Sequence, residues 1–360
     1  MPELLIELLS EEIPARMQAR AADDLKRLVT EGLEKAGLSF ESAEAYATPR
    51  RLALVVEGIP DKQPDLKEER KGPRVGAPDQ AIQGFLKSAG LSSLNACEKR
   101  EIKGTEFWFV VTEAKGQAAS SVLPRVVGDA IGALGWPKSM RWGASSFRWV
   151  RPLQNVLAVF DGEALDGGIA LGESGKGDAK PGTGELDFAA LTFGHRFLSD
   201  GSFEVAAFPD YREKLKAAHV VLDSAERRGM IQKDAEALAD KAGLVLRDDP
   251  ALIDEVAGLV EWPVVLMGDI DPEFMVVPPE VLVTAMRTHQ KYFALEDADG
   301  NLAPKFIVVA NIETADKGAA IVAGNERVLR ARLSDAKFFW DHDRKLPLAQ
   351  RAPDLEQIVF

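Results

Sequence analysis

The chain has 360 residues, of which 46% are hydrophobic and 28% charged, a balance typical of a soluble globular protein with two or three domains. Its net charge of −13 argues against a general nucleic-acid binder, because neutralising phosphates requires Lys and Arg, although a local basic surface is compatible with it. The single cysteine, Cys97, excludes an internal disulfide and fits a reducing environment. The acidic N-terminus is unlike a signal peptide, and no apolar run approaches the ~20 residues of a membrane span. We therefore expect a cytoplasmic protein with no membrane partner.

The first part of the chain contains both strand and helix patterns. An apolar strand at 3–9 is followed by a helix that begins near Pro14 and ends near Lys35, with Gly37 just beyond its end. Further along we predict strands at 43–47 and 51–57, a surface loop at 60–78, a helix at 79–89, a hairpin of 97–102 and 106–113, a helix at 119–134 and a strand at 153–160.

The second part of the chain is richer in helix. Eight glycines at 162–184 predict a mobile loop or insert. We then predict helical residues at 210–242, with Asp223 at the start of the longer helix, helices at 251–260 and 279–290, strands at 263–267, 291–295 and 305–310, and helix from 316 to the end. Regular strand–helix alternation is missing, so the predicted class is α+β, with mixed or antiparallel sheets, packed helices, and helix-rich segments near 210–260 and 316–360.

The predicted domain organisation has three parts. An N-terminal α+β domain covers 1–160, a second α+β domain with a helical insert covers 161–315, and the start of a truncated helical domain covers 316–360. The apolar segment 354–360 stops without a cap or polar tail, so we expect the natural chain to continue beyond Phe360.

Sequence motifs for catalysis are missing. There is no phosphate loop, no dinucleotide-binding glycine motif and no Cys or His spacing of a zinc site. The cluster Asp341-His342-Asp343 is interpreted as a solvated helix face, because consecutive positions do not share a face. We therefore assign no catalytic residue, no metal ligand and no cofactor to this chain.

The densest functional signal lies at 136–151, WPKSMRWGASSFRWVR. No acidic residue occurs from 130 to 160. The candidates in this segment are Lys138, Arg141, Trp142, Arg148, Trp149 and Arg151. Arginines grip phosphates, and aromatic rings stack on bases. Two alternatives remain open: the tryptophans belong to the core and the arginines pair with acids elsewhere, or the segment is a protein interface.

Three other places contribute candidates. Arg50 and Arg51 follow the corner made by Pro49, and they either bind a ligand or form salt bridges. His195 and Arg196 lie in TFGHRF, where a histidine beside aromatic residues is more often structural. Lys291 lies at a helix-to-strand junction, where it faces a ligand or caps the helix.

The same segments resemble the β subunit of bacterial heterotetrameric glycyl-tRNA synthetase. The matching motifs are LLIELLSEEIPARM at 4–17, ATPRRLAL at 47–54, KSMRWGASSFRWVRPL at 138–153, TFGHRF at 192–197, EVAGLVEWPVVLMG at 255–268, QKYFAL at 290–295, FIVVANIE at 306–313 and GNERVLRARLSDAKFFWDHDRK at 324–345. The segment 172–190 is longer than expected for this family, and the family's anticodon-binding domain is expected beyond Phe360.

The resemblance implies a division of labour. An α subunit carries the class II core that activates glycine with ATP and Mg, and the β subunit contributes tRNA(Gly) binding within an α2β2 tetramer. The candidate residues would then contact either tRNA or the α subunit. Two competing readings are an editing hydrolase built around His195 and a scaffold that orders the α subunit without touching RNA. The salt dependence of tRNA affinity separates RNA binding from scaffolding, because phosphate contacts weaken as salt rises.

Overall fold

The structure is a computed structural model that describes residues 2–143, 145–172, 185–347, 349–350 and 353. Most of the predicted insert at 162–184 and all of the predicted uncapped end at 354–360 lie outside these residues. No helix of the described ranges is both long and apolar enough to cross a membrane.

Helices and strands are interspersed along the whole described chain. In order, the first are β1 (Glu3–Ser10), α1 (Ala15–Lys35), β2 (Ser42–Ala47), β3 (Arg51–Glu57), β4 (Leu66–Arg74), α2 (Asp79–Ala89), a 3-10 turn (Leu94–Ala96), β5 (Cys97–Ile102), β6 (Thr105–Ala114), α3 (Ala119–Ala133) and β7 (Leu153–Phe160). The rest are β8 (Glu163–Ala164), β9 (Gly168–Ala170), β10 (Glu185–Ala189), β11 (Leu191–Phe193), β12 (Ser202–Glu204), α4 (Phe208–Ala217), α5 (Ser224–Lys241), β13 (Val245–Leu246), α6 (Pro250–Ala257), β14 (Val264–Asp269), a 3-10 turn (Pro272–Phe274), α7 (Pro279–Ala285), a π turn (Met286–Gln290), β15 (Phe293–Glu296), β16 (Leu302–Ala310) and α8 (Ala319–Asp343). This mixture confirms the predicted α+β class.

The largest sheet has the strand order β2-β3-β1-β7-β10-β9, with β8 paired to β7. It is antiparallel except where β10 runs parallel to β7. Alternate residues of β1 serve opposite faces, because successive strand side chains point to opposite sides. Leu4 and Ile6 join a core with α1 and α3, whereas Leu5 joins a second core with α4. Burial on both faces explains why the central strands read as nearly continuous apolar runs.

Helix α1 follows its predicted bounds closely. Pro14 precedes the first helical residue, where a missing N–H costs nothing. The helix ends just before Gly37, whose φ of 67° is left-handed. The backbone N–H of Leu38 donates to the carbonyl of Leu33 at 2.9 Å, which caps one of the last free carbonyls.

A three-stranded antiparallel sheet, β4-β6-β5, forms a small unit with α2. The prediction of a surface loop at 60–78 was wrong, because Leu66–Arg74 is β4 and pairs along β6. The charged residues of β4 are typical of a strand near solvent, and its proline made the strand pattern difficult to recognise in the sequence. Pro73 lies where the register shifts between Lys71 and Arg74, a position at which a missing N–H is tolerated.

The third sheet, β13-β15-β16-β14, separates two small cores. Helices α5 and α6 cover one side, while α7, α8 and the turn at Pro272–Phe274 cover the other. The predicted helical stretch at 210–242 is two helices, α4 and α5. The second begins as predicted, since the Asp223 side chain accepts a hydrogen bond from the N–H of Ala225 at 2.8 Å.

The predicted boundary at residue 160 falls inside the largest sheet. Phe188 and Ala189 of β10 pair with Val156 and Leu157 of β7, so strands on both sides of the boundary share one sheet. The division of the chain into three domains stays a prediction. The last helix ends at Asp343, earlier than predicted, and residues 344–345 form a turn.

Candidate functional site

Arg51, the first residue of β3, is the centre of a fully buried ion network. Its Nη1 lies 3.0 Å from Oε2 of Glu7, and its Nε lies 2.8 Å from Oε1 of Glu261. The guanidinium also donates to the carbonyl oxygens of Phe193 at 2.9 Å and Gly194 at 3.1 Å. One side chain therefore joins β1, the end of β11 and a loop 210 positions away in the sequence.

Hydroxyl groups provide further partners for the two carboxylates, and only Oε2 of Glu261 is left without a hydrogen bond among the described residues of this network. Thr48 donates to Oε1 of Glu261 at 2.7 Å, and Tyr211 donates to Oε2 of Glu7 at 2.5 Å. Thr192 donates to the other oxygen of Glu7. Because a buried carboxylate is costly without partners, these contacts explain why both acids are tolerated in the core.

Arg51 and Glu261 keep their charges at neutral pH. Burial lowers the pKa of Arg51, but the negative charges of Glu261 and Glu7 outweigh it and hold the pKa above its usual value. Burial raises the pKa of Glu261, but the positive charge of Arg51 outweighs it and leaves that pKa below its usual value. Burial and the neighbouring Glu7 raise the pKa of Tyr211, which stays a hydrogen-bond donor. The network therefore holds β1, β3 and the loop that contains Glu261 in fixed positions relative to one another.

Sequence reasoning did not identify the partners of Arg51. Glu7 gave a usable signal, because a lone acid in the apolar strand LLIELL requires a buried partner. Arg227 gave none. It is fully buried, donates to the backbone carbonyls of Ala47, Val221, Leu222 and Ala257, and burial lowers its pKa to about 10.

His195 is buried beside this network. Its Nδ1 accepts a hydrogen bond from the N–H of Phe197 at 3.3 Å, so the proton of the neutral ring lies on Nε2. Within the described residues Nε2 makes no hydrogen bond of normal geometry. Burial lowers the pKa of His195, and this effect outweighs the raising effects of Asn311 and Glu261. The ring is therefore neutral at pH 7.

His195 should make the protein sensitive to acid. Well above pH 6.5 the ring is neutral in both the folded and the unfolded chain, so it contributes no pH dependence there. Below that value the unfolded chain binds a proton first, so stability falls with pH until the folded pKa is reached, by up to about 1.4 kcal/mol per pH unit. An NMR titration of the His195 ring should give a midpoint below 6.5, and His195→Gln should remove this part of the acid sensitivity. A midpoint at or above the ordinary value would contradict the assignment.

The 136–151 loop is held in place by its aromatic residues. Trp149 is 1% exposed, meets Trp136 edge to face at 5.1 Å and stacks on Phe147 at 5.8 Å. Trp142 packs against Phe147 at 6.2 Å and is partly buried. Backbone hydrogen bonds in both directions between Met140 and Trp149, at 2.7 and 3.1 Å, close the loop. The tryptophans thus serve mainly as core, one of the alternatives left open by the sequence.

The cations of the 136–151 loop, unlike its buried Trp149, are exposed to solvent. Lys138, Arg141, Arg148 and Arg151 are all exposed, and within the described part of the chain none of them forms an ion pair. Arg148 donates to the hydroxyl of Ser139 at 3.1 Å, and Arg151 donates to its neighbouring backbone carbonyl at 2.8 Å. The alternative in which these arginines pair with acids elsewhere therefore has no support among the described residues.

Arg50 and Arg196 belong to a polar chain at the edge of the largest sheet. Arg50 donates to Gln154 at 2.7 Å, Gln154 donates to Glu11 at 2.6 Å, and Arg196 pairs with Glu11 at 3.0 Å. Arg50 is almost buried, and burial lowers its pKa. Arg196 exposes its guanidinium, which lies 5.5 Å from the ring of the exposed Phe197.

Lys291 lies apart from the other candidates. Its φ of 58° ends the π turn at Met286–Gln290, and its ammonium pairs with Glu255 of α6 at 2.9 Å. The predicted helix-to-strand junction at Lys291 is therefore confirmed. The partner of Lys291 is an acid on another helix. Among the described residues no group of His, Cys, Asp and Glu side chains could hold a metal ion.

Comparisons with known proteins agree on one family. The family model described as glycyl-tRNA synthetase beta subunit matches residues 4–360. A glycine–tRNA ligase beta subunit of Rhodospirillum centenum is 56% identical over 370 residues, covering 100% of this chain and 52% of the relative. Proteins of the same name from Ruegeria sp. and Paracoccus denitrificans are 50% and 47% identical, over 96% and 100% of this chain and 49% and 51% of their own lengths.

The chain thus spans about half the length of the curated relatives it matches, while the family model covers it nearly from end to end. The matched residues 4–360 contain both the buried network and the 136–151 loop. On this evidence the chain belongs to the glycyl-tRNA synthetase beta subunit family.

Proposed function

We propose that this chain works in glycine–tRNA ligase as part of the β subunit, in a cytoplasmic α2β2 assembly that joins glycine to tRNA(Gly). In this proposal the α subunit binds ATP and Mg and activates glycine, and this chain supplies tRNA contacts and holds the α subunit. The family membership supports the general assignment. The observation that carries the tRNA contact is the set of exposed cations on the 136–151 loop, none of which forms an ion pair with another described residue.

The loop suits a phosphate backbone better than stacked bases. Trp149 is buried, so it supports the loop and offers no ring to a base. Lys138, Arg141, Arg148 and Arg151 present charge that no ion pair among the described residues neutralises, on a chain whose net charge is −13. Such a local reversal of sign attracts RNA and gives an affinity that falls as salt rises. Contacts of this kind position the RNA without reading its sequence.

Charge reversal on the loop should weaken tRNA binding. In the full α2β2 enzyme, Arg141→Glu combined with Arg148→Glu should raise the KM for tRNA about tenfold or more and make the salt dependence of binding shallower by about one unit per lost phosphate contact. Glycine activation, followed by ATP–pyrophosphate exchange, should be unchanged. The substituted side chains are exposed, so the fold should survive.

A matched control uses cations of the same exposure elsewhere. Lys26 of α1 and Arg125 of α3 are exposed and unpaired among the described residues, so Lys26→Glu with Arg125→Glu makes the same change of net charge outside the loop. If the loop and control variants raised the KM equally, the effect would reflect overall charge. If neither raised it, the tRNA contact would lie elsewhere.

A contact with the α subunit is the second candidate for this loop. Met140 is 40% exposed between the cations, and arginine beside exposed apolar surface is common in protein interfaces. Met140→Ser in the β subunit, followed by sedimentation of the complex, separates the two functions. Loss of the α subunit with tRNA affinity unchanged would favour this second candidate.

A further inference from the structure

A small pocket lies between the start of α1 and the turn that leads into the 136–151 loop. Its volume is about 260 Å³, and its lining comes from two short segments. The residues are Arg16, Met17, Arg20, Ala21, Asp24, Gly135, Trp136, Pro137 and Lys138. This volume is just below the range of about 300–1,000 Å³ typical of pockets for drug-sized ligands, so it suits a single base with its phosphate.

The rim of the pocket carries excess positive charge. Arg16, Arg20 and Asp24 follow one face of α1 at four-residue spacing. Asp24 lies 3.6 Å from Arg20 and also pairs with Arg27 at 3.1 Å, so one acid is shared between two cations. Arg16 and Lys138 have no ion pair among the described residues. An anion at the rim would therefore find cations that are not already neutralised.

The walls of the pocket are apolar and aromatic. Met17, Ala21, Pro137 and Trp136 contribute them. Inorganic phosphate would not need such walls. A ligand with a flat ring and an attached phosphate matches both the walls and the rim.

The pocket is also continuous with the cationic loop. Ser139, next to Lys138, accepts the hydrogen bond of Arg148, which joins the rim to the loop surface. Both walls are fixed before any ligand arrives, because Met17 and Ala21 are buried in the core and Trp136 packs against Trp149. A preformed pocket beside a phosphate-binding surface is suited to one nucleotide of a strand that is held by that surface.

We infer that this pocket receives one unstacked nucleotide of an RNA strand, with its phosphate at Arg16, Arg20 and Lys138 and its base against Trp136. The inference rests on the proposed RNA contact of the 136–151 loop and names a further part of it. A free nucleotide has the same chemistry, but only a strand explains the continuity with Arg148.

The test compares two RNA hairpins in the full α2β2 enzyme, one with a flush end and one with four single-stranded nucleotides at its 3′ end. Arg16→Ala combined with Arg20→Ala should weaken binding of the second hairpin about tenfold, the usual size of one lost base or phosphate contact, and leave the flush hairpin unchanged. Lys138→Ala should act in the same direction. Lys26→Ala, an exposed residue of the same helix outside the pocket, is the control and should change neither.

Different results would overturn different parts. Equal weakening of both hairpins by Arg16→Ala with Arg20→Ala would make these cations part of a general electrostatic surface, and no weakening would remove the pocket from RNA binding. If AMP competed with the single-stranded end and bound as tightly as the hairpin, the pocket would be a site for free nucleotides. Arg141→Glu with Arg148→Glu should weaken both hairpins; if it weakened neither, the proposed loop contact would fail independently of the pocket.

Discussion

Replacing Arg51 with alanine should lower the free energy of unfolding by about 3–5 kcal/mol, the usual cost of leaving a buried charge without its partner. The substitution removes the cation that lies between Glu7 and Glu261, both of which are buried. It also leaves the carbonyls of Phe193 and Gly194 without their donor. Urea unfolding at pH 7, followed by circular dichroism, measures the loss.

The matched control is an arginine whose ion pairs are exposed. Arg27 pairs with Asp24 and Glu31, each at 3.1 Å, on the surface of α1, so Arg27→Ala should lower the free energy of unfolding far less than Arg51→Ala. Equal losses for the two variants would mean that the Arg51 network contributes no more than surface charges do. Loss of tRNA affinity in Arg51→Ala without loss of stability would instead indicate a direct contact, in spite of the burial.

The network also predicts an acid limit. Glu261 has a folded pKa below its usual value, so its stabilising effect is complete above the unfolded pKa of about 4.5 and is lost as pH falls through the folded pKa. The same side chain links the largest sheet to the loop before β14. Acid should therefore loosen the attachment between these two parts of the chain, in addition to the effect of His195 at higher pH.

Local sequence determined much of the fold. Pro14 and Gly37 bracket α1, and Asp223 caps α5, because helix ends depend on nearby residues. The strand β4 was missed because its residues are charged and its ladder depends on β6, more than 30 positions away in the sequence. Alternation and end signals can be read locally, whereas pairing of a polar strand cannot.

The candidate residues show more clearly that local sequence does not reveal contacts between distant segments. Arg51 and Arg141 each lie in a segment of arginine and apolar residues, yet one is buried and the other exposed. The difference in burial comes from Glu261, which pairs with Arg51 but lies 210 positions away in the sequence. No local sequence pattern connects these two residues. The sequence did indicate where cations cluster, since no acid lies between residues 130 and 160. Which of them face solvent is decided by contacts made across the whole fold.

Trp149 gives the second large effect that we expect. Trp149→Ala should lower the free energy of unfolding by about 3–5 kcal/mol, because it leaves a large cavity against Trp136 and Phe147. The same substitution removes the stacking that holds the loop, so it should also weaken tRNA binding even though Trp149 touches no RNA in our proposal. Thermal unfolding and tRNA affinity at a temperature where the variant is folded measure the two effects.

Trp149→Phe separates support of the loop from direct contact. Phenylalanine keeps a stacked ring, and the indole N–H that it removes has no hydrogen-bond partner among the described residues, so the cost should be about 1–2 kcal/mol. With the loop still packed, Lys138, Arg141 and Arg148 keep their positions and tRNA affinity should be nearly that of the original protein. If Trp149→Phe lost as much affinity as Arg141→Glu with Arg148→Glu, the indole itself would have to meet the RNA. Affinity in this loop would then depend on an exposed state of Trp149 that differs from its packed position.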